Sequence, residues 1–216
     1  MKPQLLGYDI RVATSTVIER EWNATRREQY LLRPEIFCPV SVDKAVLTSV
    51  FEFDVSDTRS SSGKIVLHPA DFHQQALGLW RERRDMEQKA ISEKGKLGSQ
   101  LLKVLAITLG EEDRVARNQY WREFFSETVV AEELDAPWEF GGFDVADRYL
   151  TSGLSNCGLG DELKALRGEW ATSVNDQGLF STLEMAVKYR EFLGSRVPVH
   201  APFCVYGIHW REMKWE

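Results

Sequence analysis

The segment Phe203-Cys204-Val205-Tyr206-Gly207-Ile208 constrains the fold more than any other. It is apolar on both faces and lacks the alternation of a half-wet strand. A short run of this kind belongs in the middle of a sheet, covered on both sides. Pro198 and Pro202, just ahead of it, set an extended connection. At the other end of the chain, Leu5 to Val12 also reads as a strand, with Leu6, Tyr8 and Ile10 on one side and Asp9 and Arg11 on the other. Strands at both ends with helical patterns between them predict an α+β fold: a mixed, mainly antiparallel sheet with packed helices.

The intervening chain supplies the other elements. Ala45 to Val55 alternates, with Leu47, Phe51, Phe53 and Val55 on one face and Thr48, Glu52 and Asp54 on the other. A polar loop from Asp57 to Gly63 follows, and Lys64 to His68 returns as a strand, so the pattern predicts a hairpin. After Pro69, the residues Phe72, Ala76, Leu79, Trp80, Arg83 and Met86 fall at helical spacing. Leu97 to Leu109 is almost wholly apolar and predicts a buried helix. Glu111-Glu112-Asp113 then opens a third helix, where carboxylates favour the positive end of the helix dipole. Residues 69–126 thus form a largely helical section within a single domain over 1–216. Further on, Ser181-Thr182-Leu183-Glu184 has the form of a capping box with Ser181 as N-cap, and that helix is expected to stop at Gly194.

The densest pattern runs from Gly141 to Gly158. Two glycines open it, a short amphipathic segment follows, and a loop of small residues holds Cys157. Asp144 suits the N-cap of a helix over 144–152, and Gly153 suits the left-handed residue after its end. The approach to this motif is one-sided in charge. From Glu127 to Asp147 there are seven acidic side chains and no Lys or Arg. Residues 127–170 hold ten acids against Arg148, Lys164 and Arg167, while the whole chain has a net charge of −6, so the remainder is close to neutral. An acidic face attracts basic partners. Trp138 and Phe140 interrupt it as aromatic anchors ringed by carboxylates, a composition suited to a protein interface. The structural alternative is that both rings tuck a loop into the core.

Several function classes are disfavoured. The net charge disfavours nucleic acid and anionic membranes. No apolar run reaches the length of a membrane span. Three cysteines, Cys38, Cys157 and Cys204, do not form a disulfide framework, and no signal-peptide pattern opens the chain; a soluble, cytoplasmic protein is expected. His68 and His73 have no second ligand pair, and no phosphate-loop motif is present, so no metal, cofactor or small molecule is expected. A cysteine-dependent hydrolase or transferase remains as an alternative. It would use Cys157 as nucleophile, His200 or His209 as base and Asn156 as oxyanion donor. Nearby acids would raise the thiol pKa, against that chemistry.

The residues Phe143-Asp144-Val145-Ala146-Asp147, Ser152-Gly153-Leu154-Ser155-Asn156-Cys157-Gly158, and Arg196-Val197-Pro198-Val199-His200-Ala201-Pro202-Phe203 with Val205-Tyr206-Gly207 resemble stand-alone bacterial immunity proteins. Those are encoded beside polymorphic toxins, contact-dependent or type VI secreted, that act in bacterial competition. The resemblance covers roughly the last 80 residues. It implies a cytoplasmic antitoxin that binds and neutralises a cognate toxin effector, without catalysis or cofactor. Glu132, Glu133, Asp135, Trp138, Glu139, Asp144 and Asp147 are the expected contacts with a basic toxin. A regulatory protein-binding scaffold is the further alternative.

Overall fold

Both ends of the chain meet in one sheet. The computed structural model describes residues 4–14, 46–49, 51–53, 65–67, 75–76, 79–97, 102–110, 113, 134, 138–147, 152–153, 170–175, 177–198 and 201–215. In chain order the elements are β1 (Gln4–Thr14), β2 (Val46–Ser49), β3 (Phe51–Phe53), β4 (Ile65–Leu67), β5 (Gln75–Ala76), β6 (Leu79–Trp80), α1 (Arg83–Ser92), a single turn α2 (Lys94–Leu97), β7 (Leu102–Leu109), β8 (Glu139–Ala146), a 3-10 turn (Ala171–Ser173), α3 (Leu183–Arg196) and β9 (Cys204–Glu212). The main sheet has seven strands in the order β5-β6-β1-β7-β9-β8, with β2 also paired to β1. Its pairings are antiparallel. The two-sided apolar segment lies in β9, bonded to β7 on one edge and β8 on the other, the interior place its composition requires. With helices packed on this sheet and a small parallel pair beside it, the fold is α+β, mixed and mainly antiparallel.

The register explains where the helices sit. Tyr8, Ala106, His209 and Phe140 form one row across β1, β7, β9 and β8. Val205 lies four residues from His209 on β9 and so shares that face. Met86 and Ala90 of α1 pack with Tyr8, Ile10, Val104 and Ala106, while Ala186, Tyr189 and Leu193 of α3 pack with Val145 and Val205. Both helices therefore cover the same face. Each fully buried ring or Leu contributes roughly 1.5–3 kcal/mol of apolar transfer. The opposite face is buried as well, with Leu105, Ile107, Leu109, Tyr206, Ile208 and Trp210 on it. No described helix is long and apolar enough to cross a membrane.

The structure corrects several expectations. Leu102–Leu109 is a strand, not part of a buried helix. A run apolar on every side carries no period to distinguish the two, and β-branched Val104, Ile107 and Thr108 favour the strand. Likewise the helical spacing from Phe72 onward gives way to β5 and β6, and α1 starts only at Arg83. Among the described residues of 69–126, the strands β5, β6 and β7 stand with the helices α1 and α2; the third helix, expected from Glu111 onward, lies outside the described residues apart from Asp113. The alternating run 45–55 is divided: β2 joins β1, whereas β3 pairs with β4 in parallel, Phe51 opposite Ile65, so no hairpin forms there. Residues 139–146 are strand β8, so the expected helix with Asp144 as N-cap is absent and Gly153 is not a helix terminator. Gly153 instead allows close packing, because a Cβ there would strike Leu193 of α3.

The last helix is capped one residue later than expected. Thr182, not Ser181, is the N-cap, and its Oγ1 accepts from the Met185 amide at 3.3 Å. Glu184 pairs with Lys188 one turn on. The helix runs past Gly194 to Arg196. It ends where Pro198 denies the preceding Val197 the helical region.

Candidate functional site

Among the described residues, strand β8 is the last in the sheet, and its outer edge is closed over only part of its length. The Phe143 amide and carbonyl exchange two bonds of 2.8 Å with Phe180. The Gly153 amide donates to the Val145 carbonyl at 2.7 Å. Between Phe140 and Gly142 the pairing with β9 shifts by one residue, a bulge. Gly142 sits at φ 135°, a conformation that favours glycine, and a Cβ there would also meet Leu179 at 2.8 Å. Gly141 lies against the Trp210 ring with no room for a Cβ. The turn after the 3-10 helix holds the bulge: Asn175 Nδ2 donates to the Gly141 carbonyl at 2.6 Å. Its Oδ1 accepts from the Gln177 and Leu179 amides, which keeps the turn closed.

Upstream of the bulge, the strand reaches solvent. Glu139 is exposed, and Phe140 is 45% exposed. The Phe140 ring is held in place by Phe143 at 4.8 Å, edge on, and by His209 at 5.0 Å. Burial lowers the pKa of His209, so its imidazole is neutral at pH 7 and adds no positive charge to the patch. Trp138 is only partly exposed. It stacks on Tyr8 with centroids 6.1 Å apart and lies under the Arg211 guanidinium, 5.2 Å from its ring. Arg211 in turn donates to Glu87 of α1 at 2.6 Å. Trp138 thus packs against the core, and the ring offered to solvent is Phe140.

Downstream of the bulge, the carboxylates turn inward. Asp144 is 1% exposed and Asp147 is 3% exposed, so neither lies on the expected contact surface. Asp144 Oδ1 accepts from the Val145 amide at 2.7 Å and the Ser152 hydroxyl at 2.9 Å. Its Oδ2 is buried without a hydrogen-bond partner. Burial raises its pKa well above 3.8, and the bonds from Ser152 and Val145 and the charge of Arg11 offset only part of that. Arg11 is itself buried in an ion pair with Asp9 at 2.8 Å. The Tyr206 hydroxyl, kept protonated by burial, donates to the Asp147 carbonyl at 3.3 Å.

Glu132, Glu133, Asp135, Cys157 and His200 lie outside the described residues. Of the expected contacts that are described, the structure therefore brings Trp138 and Glu139 beside the exposed Phe140 and withdraws Asp144 and Asp147. Among the described residues no group of three or more His, Cys, Asp or Glu could hold a metal ion. Sequence reading missed Asn175 and Asp113. The Asn175-Asp176-Gln177-Gly178 stretch carried a usable signal, since Asn and Gly mark turns. Asp113 gave none: its buried carboxylate accepts from Arg190 of α3 at 2.6 Å and from the Val205 amide of β9 at 2.8 Å, a long-range link. No protein-family model matches the chain, and neither a curated protein nor a solved structure matches it.

Proposed function

We propose that the chain is an immunity protein that neutralises a basic toxin effector by direct binding, with the outer end of β8 as its anchor. The observation that carries this reading is Phe140, a large apolar ring left 45% exposed yet held by Phe143 and His209. A ring already fixed in place loses little side-chain entropy on binding, which is the property of an interface hot spot. Glu139 beside it, and the acids that precede it in the chain, favour a basic partner. Of the described acids expected at the contact, Glu139 is exposed beside Phe140, whereas Asp144 and Asp147 are buried and are not part of this surface.

Co-expression with the toxin reading frame adjacent to its own gene tests the function: growth is expected to be restored. Phe140→Ala tests the anchor. It is expected to cost about 2 kcal/mol of affinity, some thirtyfold, with little change in melting temperature. Absence of rescue would remove the immunity reading, and unchanged affinity in the variant would remove Phe140 as its anchor.

A further inference from the structure

We infer that the partner is gripped through its main chain, as an extended basic segment that adds to the outer edge of β8 at Trp138–Phe140; this rests on the protein-binding reading above. In an antiparallel ladder, alternate residues turn their amide and carbonyl away from the paired strand. Phe143 and Val145 do so in β8, and their outward groups are taken by Phe180 and Gly153. Phe143 faces Gly207 and Phe140 faces His209, two residues on along β9, so beyond the bulge Phe140 takes the outward-turned place that Phe143 has inside it. Among the described residues nothing bonds the outward amide and carbonyl of Phe140. Among the described residues, the edge is thus closed inside the bulge and open outside it. Asn175 fixes that boundary through its bond to Gly141.

Exposed sheet edges template a further strand, with main-chain bonds giving affinity and alternate side chains giving selectivity. An added strand here would meet Phe140 on one sheet face and Glu139 on the other, since consecutive residues alternate. The side chains it needs are therefore apolar and basic in turn. A second copy of this chain is disfavoured, because Glu127 to Asp147 carries acids and no Lys or Arg, so two copies meeting here would bring like charges together.

The test uses a ten-residue peptide of alternating Lys and Val as probe, with a Glu-Val peptide of the same length as control. The Lys-Val peptide is expected to slow hydrogen exchange of the Phe140 amide and to leave that of Phe143 unchanged. Phe140→Pro removes the outward amide at a position where an edge strand tolerates proline. It is expected to bind the probe about tenfold more weakly than Phe140→Ala, the loss of one main-chain bond. Melting temperature confirms that the proline variant folds, and the exchange measurement on the unmodified protein stands without it. Equal binding of the two peptides, or an unprotected Phe140 amide, overturns the edge mode. If growth rescue succeeds while the probe leaves Phe140 unprotected, the edge mode fails and the immunity reading stands.

Discussion

The two ends of β8 carry the same kind of side chain to opposite fates. At the outer end Glu139 is in solvent beside a half-exposed Phe140; at the inner end Asp144 is buried with one oxygen unpartnered. The two carboxylates are five positions apart in one strand. An acidic run in a sequence is thus not one surface. What divides it is the Gly141-Gly142 bulge, where the strand passes under the Asn175 turn and its outer edge closes. The outer end faces solvent, and the inner end is part of the interior.

Charge reversal sets the two ends furthest apart. Asp144→Lys would place an ammonium group in a closed space beside Arg11. It is expected to cost upward of about 4 kcal/mol. Glu139→Lys should leave the denaturation midpoint where it is. A tolerated lysine at 144 in a urea titration would mean that the inner end opens to water. Next in size is Asp113→Ala. It leaves Arg190 and the buried Val205 amide without this acceptor and removes the polar link between α3 and β9. A loss of about 3 kcal/mol is expected, measured by the same titration.

How far the sequence shows this division depends on the interaction involved. β1 and β9 were legible because a strand buried on two faces or on one announces itself in its own composition. The run 97–109 was not, since an apolar stretch of that length satisfies helix and strand alike and only pairing to β1 and β9 decides it. Asp144 and Glu139 look equivalent in the sequence because burial is a property of neighbours. The closing contacts come from Ser152, Phe180 and Asn175, residues 8 to 36 positions away. In the sequence Gly153 reads as the end of a helix, and Gly142 only as one of two glycines that open the motif. Their function, relief of a bulge and of a helix contact, exists only in the packed molecule.

A smaller, pH-dependent effect sharpens the contrast. In the unfolded chain Asp144 ionises near 3.8, whereas burial holds its proton to higher pH in the folded one. Between those values the folded state carries the extra proton, so stability falls as pH rises and levels off above the folded pKa. Asp144→Asn retains an acceptor for Val145 and Ser152 and cannot ionise. It is expected to be more stable than the parent at pH 7, by about 1 kcal/mol, with the gain shrinking towards pH 4. Melting curves across that range check it. A variant less stable at every pH would mean that the carboxylate's attraction to Arg11 outweighs its burial.

The smallest effect belongs to the outer end and appears only in binding. Glu139→Lys removes one steering charge from an exposed position and adds its opposite. Against a basic toxin the association rate is expected to fall by about fivefold at low salt, with dissociation nearly unchanged. Raising ionic strength from 0.1 M to 1 M shortens the screening length from about 10 Å to about 3 Å, so the difference should nearly vanish there. Asp144→Asn, measured alongside, should associate at the parental rate, because a side chain buried inside the fold lies off the contact surface. Stopped-flow association over a salt series separates the two. Equal rates for all three proteins at low salt would remove Glu139 from the steering surface, and a slow Asp144→Asn would return the inner end to it.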